Sequence, residues 1–468
     1  MTAKQYFKSR YKNNKSSQKF ANSAFAIVLG TILLLTVNNI WVASKSVEKR
    51  QLISFTSDFA SSKYQPIEFG SAVEIIDRDF SKIDAIAKNL DYSGASVTEL
   101  AALLEGKATT ELDKARIIYA WIAQHISYDV PAFLDAVNNQ KYPDINSEKI
   151  LRDRQTICSG YSNLYYTLAT AMNLESAIVI GYGKGATSND ERFKDVNHAW
   201  NAVKIDNAWY LLDATWGAGS VREQEFVPDY KPYYFATAPD EFINNHFPQD
   251  RGWQLLPQTY SREEFNNLPS ITSSFYSLGL KLTDRRNYQI ATSSRVDLKL
   301  KAPQNVVAIA DLELASELKE NAVLVNRDAE YITISVAPPQ AGTYDLTIYA
   351  KEKDSLEQYS KAIEYQIEAT NPVAELPKTY SHFYQYQASL LEPLQAELQQ
   401  NWSTYFNLVV PEAVDVQVLN TENKQWTPLN SYGSYFAGHV TIQSGNTVVV
   451  AKFPGDDRYW QLLEYWAE

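Results

Sequence analysis

The sequence predicts an α+β domain followed by two all-β sandwich domains, behind one N-terminal transmembrane helix. Three observations predict this order: an uncharged apolar segment near the N-terminus, a central region in which helical and strand patterns alternate around a single cysteine, and a C-terminal half made of repeated short β runs. A chain of 468 residues suggests about three domains, and a hydrophobic content of 45% is enough to build their cores.

Charge and composition exclude several classes of function. The net charge is −12, and because the first 20 residues are basic, the rest of the chain is more acidic still, which argues against a nucleic-acid partner. One cysteine can form neither an internal disulfide nor a zinc ribbon. The five histidines show no metal-ligand spacing, so the sequence predicts no metal and no other cofactor.

The N-terminal segment is predicted to export the rest of the chain. Residues 1–20 form a basic cytoplasmic tail, and residues 21–43 are uncharged and long enough to cross a bilayer as a signal anchor. Because the basic flank stays cytoplasmic, residues 44–90, a stalk or docking segment, and everything after them are expected on the extracytoplasmic side of the membrane. The alternative is a signal peptide cleaved near Val42 and Ser44, which would make the protein secreted.

The only cysteine, Cys158, stands at the start of a helical pattern. Leu164, Leu168 and Met172 recur every four residues behind it, which is the spacing of one helix face. A thiol in the first turn of a helix lies at the positive end of the helix dipole, which favours the reactive thiolate. The alternative is a small buried hydrophobic residue without chemistry.

Two strand patterns downstream predict a β-hairpin. Both runs are rich in aromatic and β-branched residues, and they flank the two-residue turn Asp206-Asn207. A two-residue turn pairs Ile205 with Ala208, and this pair fixes the register of the whole hairpin.

The hairpin register brings a histidine and a carboxylate together. It places His198 and Asp213 on the same face of the sheet, as diagonal neighbours. A carboxylate beside an imidazole fixes its tautomer and stabilises the imidazolium, and an imidazolium supports a neighbouring thiolate. The residues therefore predict a catalytic group in which Cys158 is the nucleophile, His198 the base and Asp213 the orienting carboxylate.

These residues lie in motifs with a family resemblance. The three motifs resemble those of the transglutaminase-like superfamily: Cys158-Ser159-Gly160-Tyr161, His198-Ala199-Trp200-Asn201 and Leu212-Asp213-Ala214-Thr215-Trp216-Gly217. Short motifs between positions 234 and 256 are similar to the kyphoscoliosis-peptidase branch of that superfamily. The resemblance implies a papain-like core in a catalytic domain over residues 91–265, a thioester formed at the cysteine, and the same three catalytic residues.

The resemblance does not settle the oxyanion hole. The backbone N–H of Cys158 is one expected donor. Gln155 is only three residues upstream, which is too close for the usual papain-like glutamine, so it is not assigned this role. His246 is expected to be a surface or structural residue.

The C-terminal half contains an internal repeat. Several residues recur at an offset of 108 positions: Phe275-Tyr276 as Phe383-Tyr384, Leu300 as Leu408, Pro303 as Pro411 and Val306 as Val414. Each copy consists of short alternating strands over roughly a hundred residues, which is typical of an immunoglobulin-like sandwich. We therefore expect one β-sandwich domain over residues 268–370 and a second over 375–468, with roles in binding or spacing.

The expected function is that of a membrane-anchored, exported thiol enzyme. Its thiolate attacks a carboxamide or peptide carbonyl, and the resulting thioester is resolved by water, as in a peptidase or amidase, or by an amine, as in a transglutaminase. The expected partner is a protein or peptide substrate, with cell-surface or cell-wall peptides as candidates. The alternative is a catalytically silent scaffold that binds surface proteins or cell wall.

Overall fold

The computed structural model describes residues 78–185, 196–283 and 287–467. The predicted cytoplasmic tail and membrane anchor, and the stalk up to residue 77, lie outside these ranges. Within them, none of the helices combines the length and the apolar character that crossing a membrane requires. The N-terminal anchor therefore stays a prediction.

An α+β domain comes first in the described chain. Its helices are α1 (Ser81–Asn89), α2 (Val97–Glu105), α3 (Glu111–His125), α4 (Val130–Asn139), α5 (Ser147–Asp153), α6 (Cys158–Ala171), α7 (Ala214–Ala218), α8 (Pro239–Phe242) and α9 (Arg262–Asn266). Its strands are β1 (Ser127–Tyr128), β2 (Gln155–Thr156), β3 (Ser176–Gly183), β4 (His198–Ile205), β5 (Ala208–Leu212), β6 (Gly219–Arg222), β7 (Glu225–Pro228), β8 (Phe235–Thr237) and β9 (His246–Pro248). Two short 3-10 helices cover Pro232–Tyr234 and Arg251–Gln254.

Helix α3 forms the centre of this domain. Thr110 caps its first turn by accepting a hydrogen bond from the backbone N–H of Asp113 at 3.0 Å. Most of the helix is buried, with Ile117 and Trp121 fully enclosed. The same core includes the inner face of α6, so the helix that begins at Cys158 is packed along its length.

Five antiparallel strands make up the main sheet, in the order β8-β5-β4-β3-β9. The predicted hairpin is β4–β5, and its predicted register is confirmed, because Ile205 pairs with Ala208. Both turn residues, Asp206 and Asn207, have positive φ angles of 48° and 68°, as a two-residue hairpin turn requires. Strand β5 ends at Leu212, whereas the run of residues that suggested this strand continues to Gly217.

A buried arginine fixes the segment that follows the hairpin. The Arg116 guanidinium donates two hydrogen bonds to Asp84, at 2.7 and 2.6 Å, and a third to the backbone carbonyl of Pro232 at 3.1 Å. The carbonyl of nearby Tyr234 in turn accepts from the backbone N–H of Asp213 at 2.8 Å. The position of Asp213 is thus tied to the interior of the domain.

Two β-sandwich domains complete the described chain. The first contains α10 (Ser273–Ser277), β10 (Ser270–Ile271), β11 (Lys281–Leu282), β12 (Gln289–Thr292), β13 (Val296–Lys301), β14 (Val306–Leu314), β15 (Glu317–Leu318), β16 (Val323–Arg327), β17 (Tyr331–Val336), β18 (Gly342–Glu352) and β19 (Ser360–Ala369). The second contains α11 (Ser381–Gln385), β20 (Lys378–Thr379), β21 (Ser389–Glu392), β22 (Glu397–Leu398), β23 (Ser403–Val409), β24 (Asp415–Asn420), β25 (Trp426–Pro428), β26 (Asn430–Tyr432), β27 (Tyr435–Thr441), β28 (Gly445–Lys452) and β29 (Trp460–Ala467).

The two sandwiches have the same topology. In the first sandwich, one sheet has the strand order β10-β19-β18-β14-β15, and β12 also pairs with β19. The other sheet has the order β11-β13-β17-β16. The second repeats this order as β20-β29-β28-β24-β25, with β22 beside β29, and β21-β23-β27-β26. The short helices α10 and α11 begin 108 residues apart, which matches the repeat found in the sequence.

Hydrogen bonds join the α+β domain to the first sandwich. The Asn245 side chain donates to the backbone carbonyl of Ile271 at 2.7 Å, and the Asn244 side chain donates to the Tyr276 hydroxyl at 2.7 Å. The buried Lys184 ammonium donates to the backbone carbonyl of Leu268 at 2.9 Å. The strand that carries His246 therefore starts beside this junction.

Candidate active site

Cys158 is the first residue of α6 and is partly exposed. The residue before it, Ile157, is the N-cap and has an apolar side chain that cannot accept a hydrogen bond. The N-cap side chain therefore caps none of the backbone N–H groups of the first turn, and the thiol lies at the positive end of the helix dipole. This is the position in the helix that the sequence predicted.

His198 is the first residue of β4 and connects the thiol to the carboxylate. Its Nε2 lies 2.7 Å from Oδ2 of Asp213. The Cys158 side chain also interacts with this ring and favours its charged form. Because Nε2 is engaged by Asp213, Nδ1 is the nitrogen available to the thiol.

Asp213 is fully buried and lies just beyond the end of β5, as the N-cap of α7. Its Oδ1 accepts hydrogen bonds from the backbone N–H groups of Thr215, at 2.8 Å, and Trp216, at 3.1 Å. Its Oδ2 faces His198. The sequence predicted Asp213 on the hairpin, on the same face as His198; the structure places it at a helix cap just beyond the hairpin, which still brings it to the histidine.

His246 is a member of this cluster that the sequence interpretation missed. It is buried, and its Nε2 lies 3.0 Å from the same Oδ2 of Asp213 that His198 contacts. Of the two expected roles, surface or structural, burial excludes the surface one, because β9 pairs with β3 at the edge of the main sheet and carries the imidazole inwards. Its place in a segment similar to the kyphoscoliosis-peptidase branch was the signal that could have identified it.

Aromatic rings enclose the two imidazoles. Phe242 stacks on His246 with a centroid distance of 3.9 Å, and Trp216 lies 4.4 Å from His246 and 5.4 Å from His198. Trp200 lies 5.1 Å from His246. The rings keep water away from the carboxylate, which strengthens its interactions with the histidines.

The charges of the cluster follow from burial and from contact with Asp213. Burial disfavours an imidazolium, but the charge and hydrogen bond of Asp213, together with the Cys158 side chain, raise the pKa of His198 to about 10. Burial would raise the pKa of Asp213, yet the two histidines hold it below its usual range. Burial outweighs the single contact with Asp213 for His246 and lowers its pKa to about 4. Near neutral pH, His198 is therefore cationic, Asp213 anionic and His246 neutral.

The cluster also has the composition of a metal site. His198, Asp213 and His246 offer three ligand atoms within 4.8 Å of one another. Their separations of 2.7 and 3.0 Å are those of hydrogen bonds between opposite charges and between a neutral donor and a carboxylate. We therefore assign His198, Asp213 and His246 as partners in hydrogen bonds.

Of the predicted site residues, Cys158, His198 and Asp213 are brought together. Gln155, which was not assigned to the oxyanion hole, lies on β2 with an exposed side chain. His125 is elsewhere, on α3, where its ring stacks on Trp121.

Comparison with known proteins identifies both kinds of domain. A family model of the transglutaminase-like superfamily matches residues 98–214, and a model described as a KY-like, immunoglobulin-like domain matches residues 262–375. Kyphoscoliosis peptidase of Mus musculus is 30% identical over 297 residues, and that of Homo sapiens 31% over 296 residues; each match covers 62% of this chain and 43% of the relative. Hillarin of Drosophila melanogaster is 28% identical over 225 residues, which are 44% of this chain and 26% of hillarin.

The chain thus spans less than half the length of these curated relatives. The first family model contains Cys158, His198 and Asp213, and the second begins at α9, where the first sandwich follows. The chain thus contains a transglutaminase-like domain followed by a KY-like immunoglobulin-like domain, and over 62% of its length it is similar to the kyphoscoliosis peptidases.

Proposed function

We propose that this protein is a thiol enzyme that cleaves or transfers amide acyl groups through a thioester at Cys158. One observation carries the proposal: a partly exposed thiol at a helix N-terminus lies beside an imidazole whose Nε2 is 2.7 Å from a buried carboxylate. Two buried charges beside a thiol are costly to maintain for stability alone. An ion pair of thiolate and imidazolium gives a nucleophile at neutral pH.

The first half of the reaction uses both members of the ion pair. The Cys158 sulfur attacks the carbonyl carbon of the substrate, and the oxygen becomes an oxyanion. The backbone N–H of Cys158 is the donor that we propose for this charge. When the C–N bond breaks, His198 gives its proton to the departing amine, and the acyl group stays on sulfur as a thioester.

The second half regenerates the enzyme. His198 is now neutral, and it takes a proton from the incoming nucleophile as that nucleophile attacks the thioester carbonyl. The C–S bond then breaks, and Cys158 leaves as a thiolate beside the protonated His198. If the nucleophile is water, the product is a carboxylic acid; if it is a primary amine, the product is a new amide. Asp213 keeps the His198 ring in place through both steps and stabilises its cationic form.

We further propose that residues 21–43 anchor the protein in a membrane and that the enzyme acts outside the cytoplasm. The uncharged segment behind a basic flank supports this orientation. The substrate would then be a surface protein or a cross-linked peptide of the cell wall.

The test is the rate at which iodoacetamide alkylates the full chain at pH 6. The chain has one cysteine, so every adduct reports on Cys158. An ordinary thiol is only about 0.3% thiolate at pH 6, whereas a thiolate paired with an imidazolium reacts at nearly its full rate. We expect His198→Ala to slow the reaction at least about tenfold.

His439→Ala is the matched control, because His439 is an exposed histidine in the second sandwich. It should leave the rate unchanged. If the wild-type rate equals that of the unfolded chain, the proposal is wrong, and a binding role for the transglutaminase-like fold is favoured instead. With an activated thiol established, peptide cleavage assayed beside incorporation of a fluorescent primary amine distinguishes water from amine as the acceptor.

A further inference from the structure

We propose that His246 is a positioning residue of this site, which shares Oδ2 of Asp213 with His198 and so limits how strongly the carboxylate retains the proton of His198. The inference rests on the proposed function and deepens it. It assigns a task to a buried histidine outside the three residues of the proposed mechanism.

The hydrogen bonds of Asp213 leave little freedom to its carboxylate. Among the described residues, Oδ1 accepts from the two backbone N–H groups of α7, and Oδ2 lies within hydrogen-bonding distance of both imidazoles. The carboxylate is fully buried, so water does not compete for these positions. Any change in one imidazole therefore changes the electron density available to the other.

The direction of the His246 hydrogen bond follows from chemistry. An ionised carboxylate only accepts, so a neutral imidazole beside it carries its proton on Nε2 and donates to Oδ2. Because burial lowers the pKa of His246, this imidazole stays neutral near pH 7. It thus draws charge from Oδ2 without adding a second cation next to His198.

The His246 ring is held firmly enough to perform this task. Phe242 stacks on it and Trp216 packs against it, at centroid distances of 3.9 and 4.4 Å. Its backbone pairs with Gly183 in β3, and the preceding Asn245 is hydrogen-bonded to the first sandwich. The ring cannot turn away from Asp213 without disturbing these contacts.

The other ionisable groups near the cluster that have shifted pKa values do not titrate in the pH range of His198. Four tyrosines interact electrostatically with Asp213, and burial raises the pKa of each, so they stay neutral: Tyr119, Tyr128, Tyr161 and Tyr234. On the neighbouring elements, burial moves the pKa of Lys184, after β3, and of Glu241, on α8, to about 7. Helix α8 carries one further carboxylate, that of Asp240. The deprotonation of His198 near pH 10 is well separated from the titration of Lys184 and Glu241.

The experiment measures that deprotonation in the full chain. Iodoacetate is negatively charged and reacts faster with a thiolate beside an imidazolium, whereas iodoacetamide is neutral. The ratio of the two alkylation rates therefore falls as His198 loses its proton. We expect the midpoint of this fall to move upward by about one pH unit in His246→Phe, which keeps a ring but lacks the donor. His246→Gln, whose amide can reach Oδ2, should retain the wild-type midpoint.

An unchanged or lower midpoint in folded His246→Phe overturns the inference. If His246 only fills space, its replacement would loosen the packing around His198 and would not make His198 retain its proton to higher pH. If His246→Phe does not fold, His246→Asn replaces it. The shorter amide cannot reach Oδ2, so the midpoint of His246→Asn should lie above that of His246→Gln. Equal midpoints for these two variants overturn the inference. If Cys158 in the wild-type protein is alkylated at pH 6 no faster than in the unfolded chain, the proposed function is overturned as well. This rate is measured before any His246 variant is made.

Discussion

Asp213 uses its two carboxylate oxygens for two different tasks. Oδ1 caps α7 through backbone N–H groups, and Oδ2 binds the imidazoles. A cap stabilises a helix by about 1 kcal/mol, and the imidazole contacts set the charge of His198. Folding and chemistry therefore share one side chain.

Substitution of Asp213 separates these tasks. Asparagine is as good an N-cap as aspartate but lacks the charge that keeps His198 protonated. We expect Asp213→Asn to reduce the rate of iodoacetamide alkylation at pH 6 by about tenfold to a hundredfold, because the proposed ion pair of His198 with Cys158 would be weakened. Asp213→Ala should show the same loss and, in urea denaturation, a further decrease of about 1 kcal/mol in the free energy of unfolding. Equal alkylation rates for wild type and Asp213→Asn would contradict this account.

At the scale of elements, strand β3 sets the spacing between the two imidazoles. It lies between β4, which carries His198, and β9, which carries His246. Gly181 pairs with His198 on one side and with Pro248 on the other. The three strands approach closely at this point because Gly181 has no side chain.

Gly181→Ala should therefore disturb the site by displacing a neighbouring strand. The added Cβ would lie 2.2 Å from the backbone oxygen of Phe247 and 2.6 Å from the ring of Trp200, so β9 has to move away. We expect a loss of about 1–3 kcal/mol in the free energy of unfolding and slower alkylation of Cys158 at pH 6. Gly185→Ala is the matched control, since its Cβ meets no described atom within 4 Å. A stable Gly181→Ala protein with wild-type alkylation would show that β9 can move without affecting the site.

Local patterns explain which elements were predictable. The β4–β5 hairpin follows from a two-residue turn and from alternation along each strand, which are visible in a short stretch of sequence. The position of His246 depends instead on β9 returning to pair with β3, more than 60 residues away in the chain, and a strand of three residues gives no periodic signal. The helix cap at Asp213 was missed because the run of strand-forming residues continues past Asp213, with no break that marks the end of β5 at Leu212.

At the scale of the whole molecule, the candidate site lies next to an interdomain junction. Asn245 precedes His246, its carbonyl accepts from the backbone N–H of Lys184 at 2.8 Å, and its side chain binds the carbonyl of Ile271 in the first sandwich. The repeat of the two sandwiches could be read from the sequence, because duplicated residues keep their spacing. Contacts between unlike domains leave no such repetition and could not be read.

Asn245→Ala tests the importance of this junction. The substitution leaves the buried carbonyl of Ile271 without its side-chain donor, which should lower the free energy of unfolding by about 1–3 kcal/mol. It should also increase protease cleavage between α9 and β10, where limited proteolysis followed by mass spectrometry would locate it. Asn430→Ala, at an exposed position of the second sandwich, is the control. An Asn245→Ala protein with the stability and cleavage pattern of this control would show that the domains are joined by other contacts.

The solitary, partly exposed thiol has a consequence for oxidative damage. Peroxide converts an accessible cysteine to a sulfenic acid, which is normally rescued by condensation with a second thiol. The chain offers no other cysteine for that purpose. Recovery therefore depends on a small-molecule reductant arriving before a second oxidation produces the irreversible sulfinic acid, and the lifetime of the protein in an oxidising environment is set by that competition.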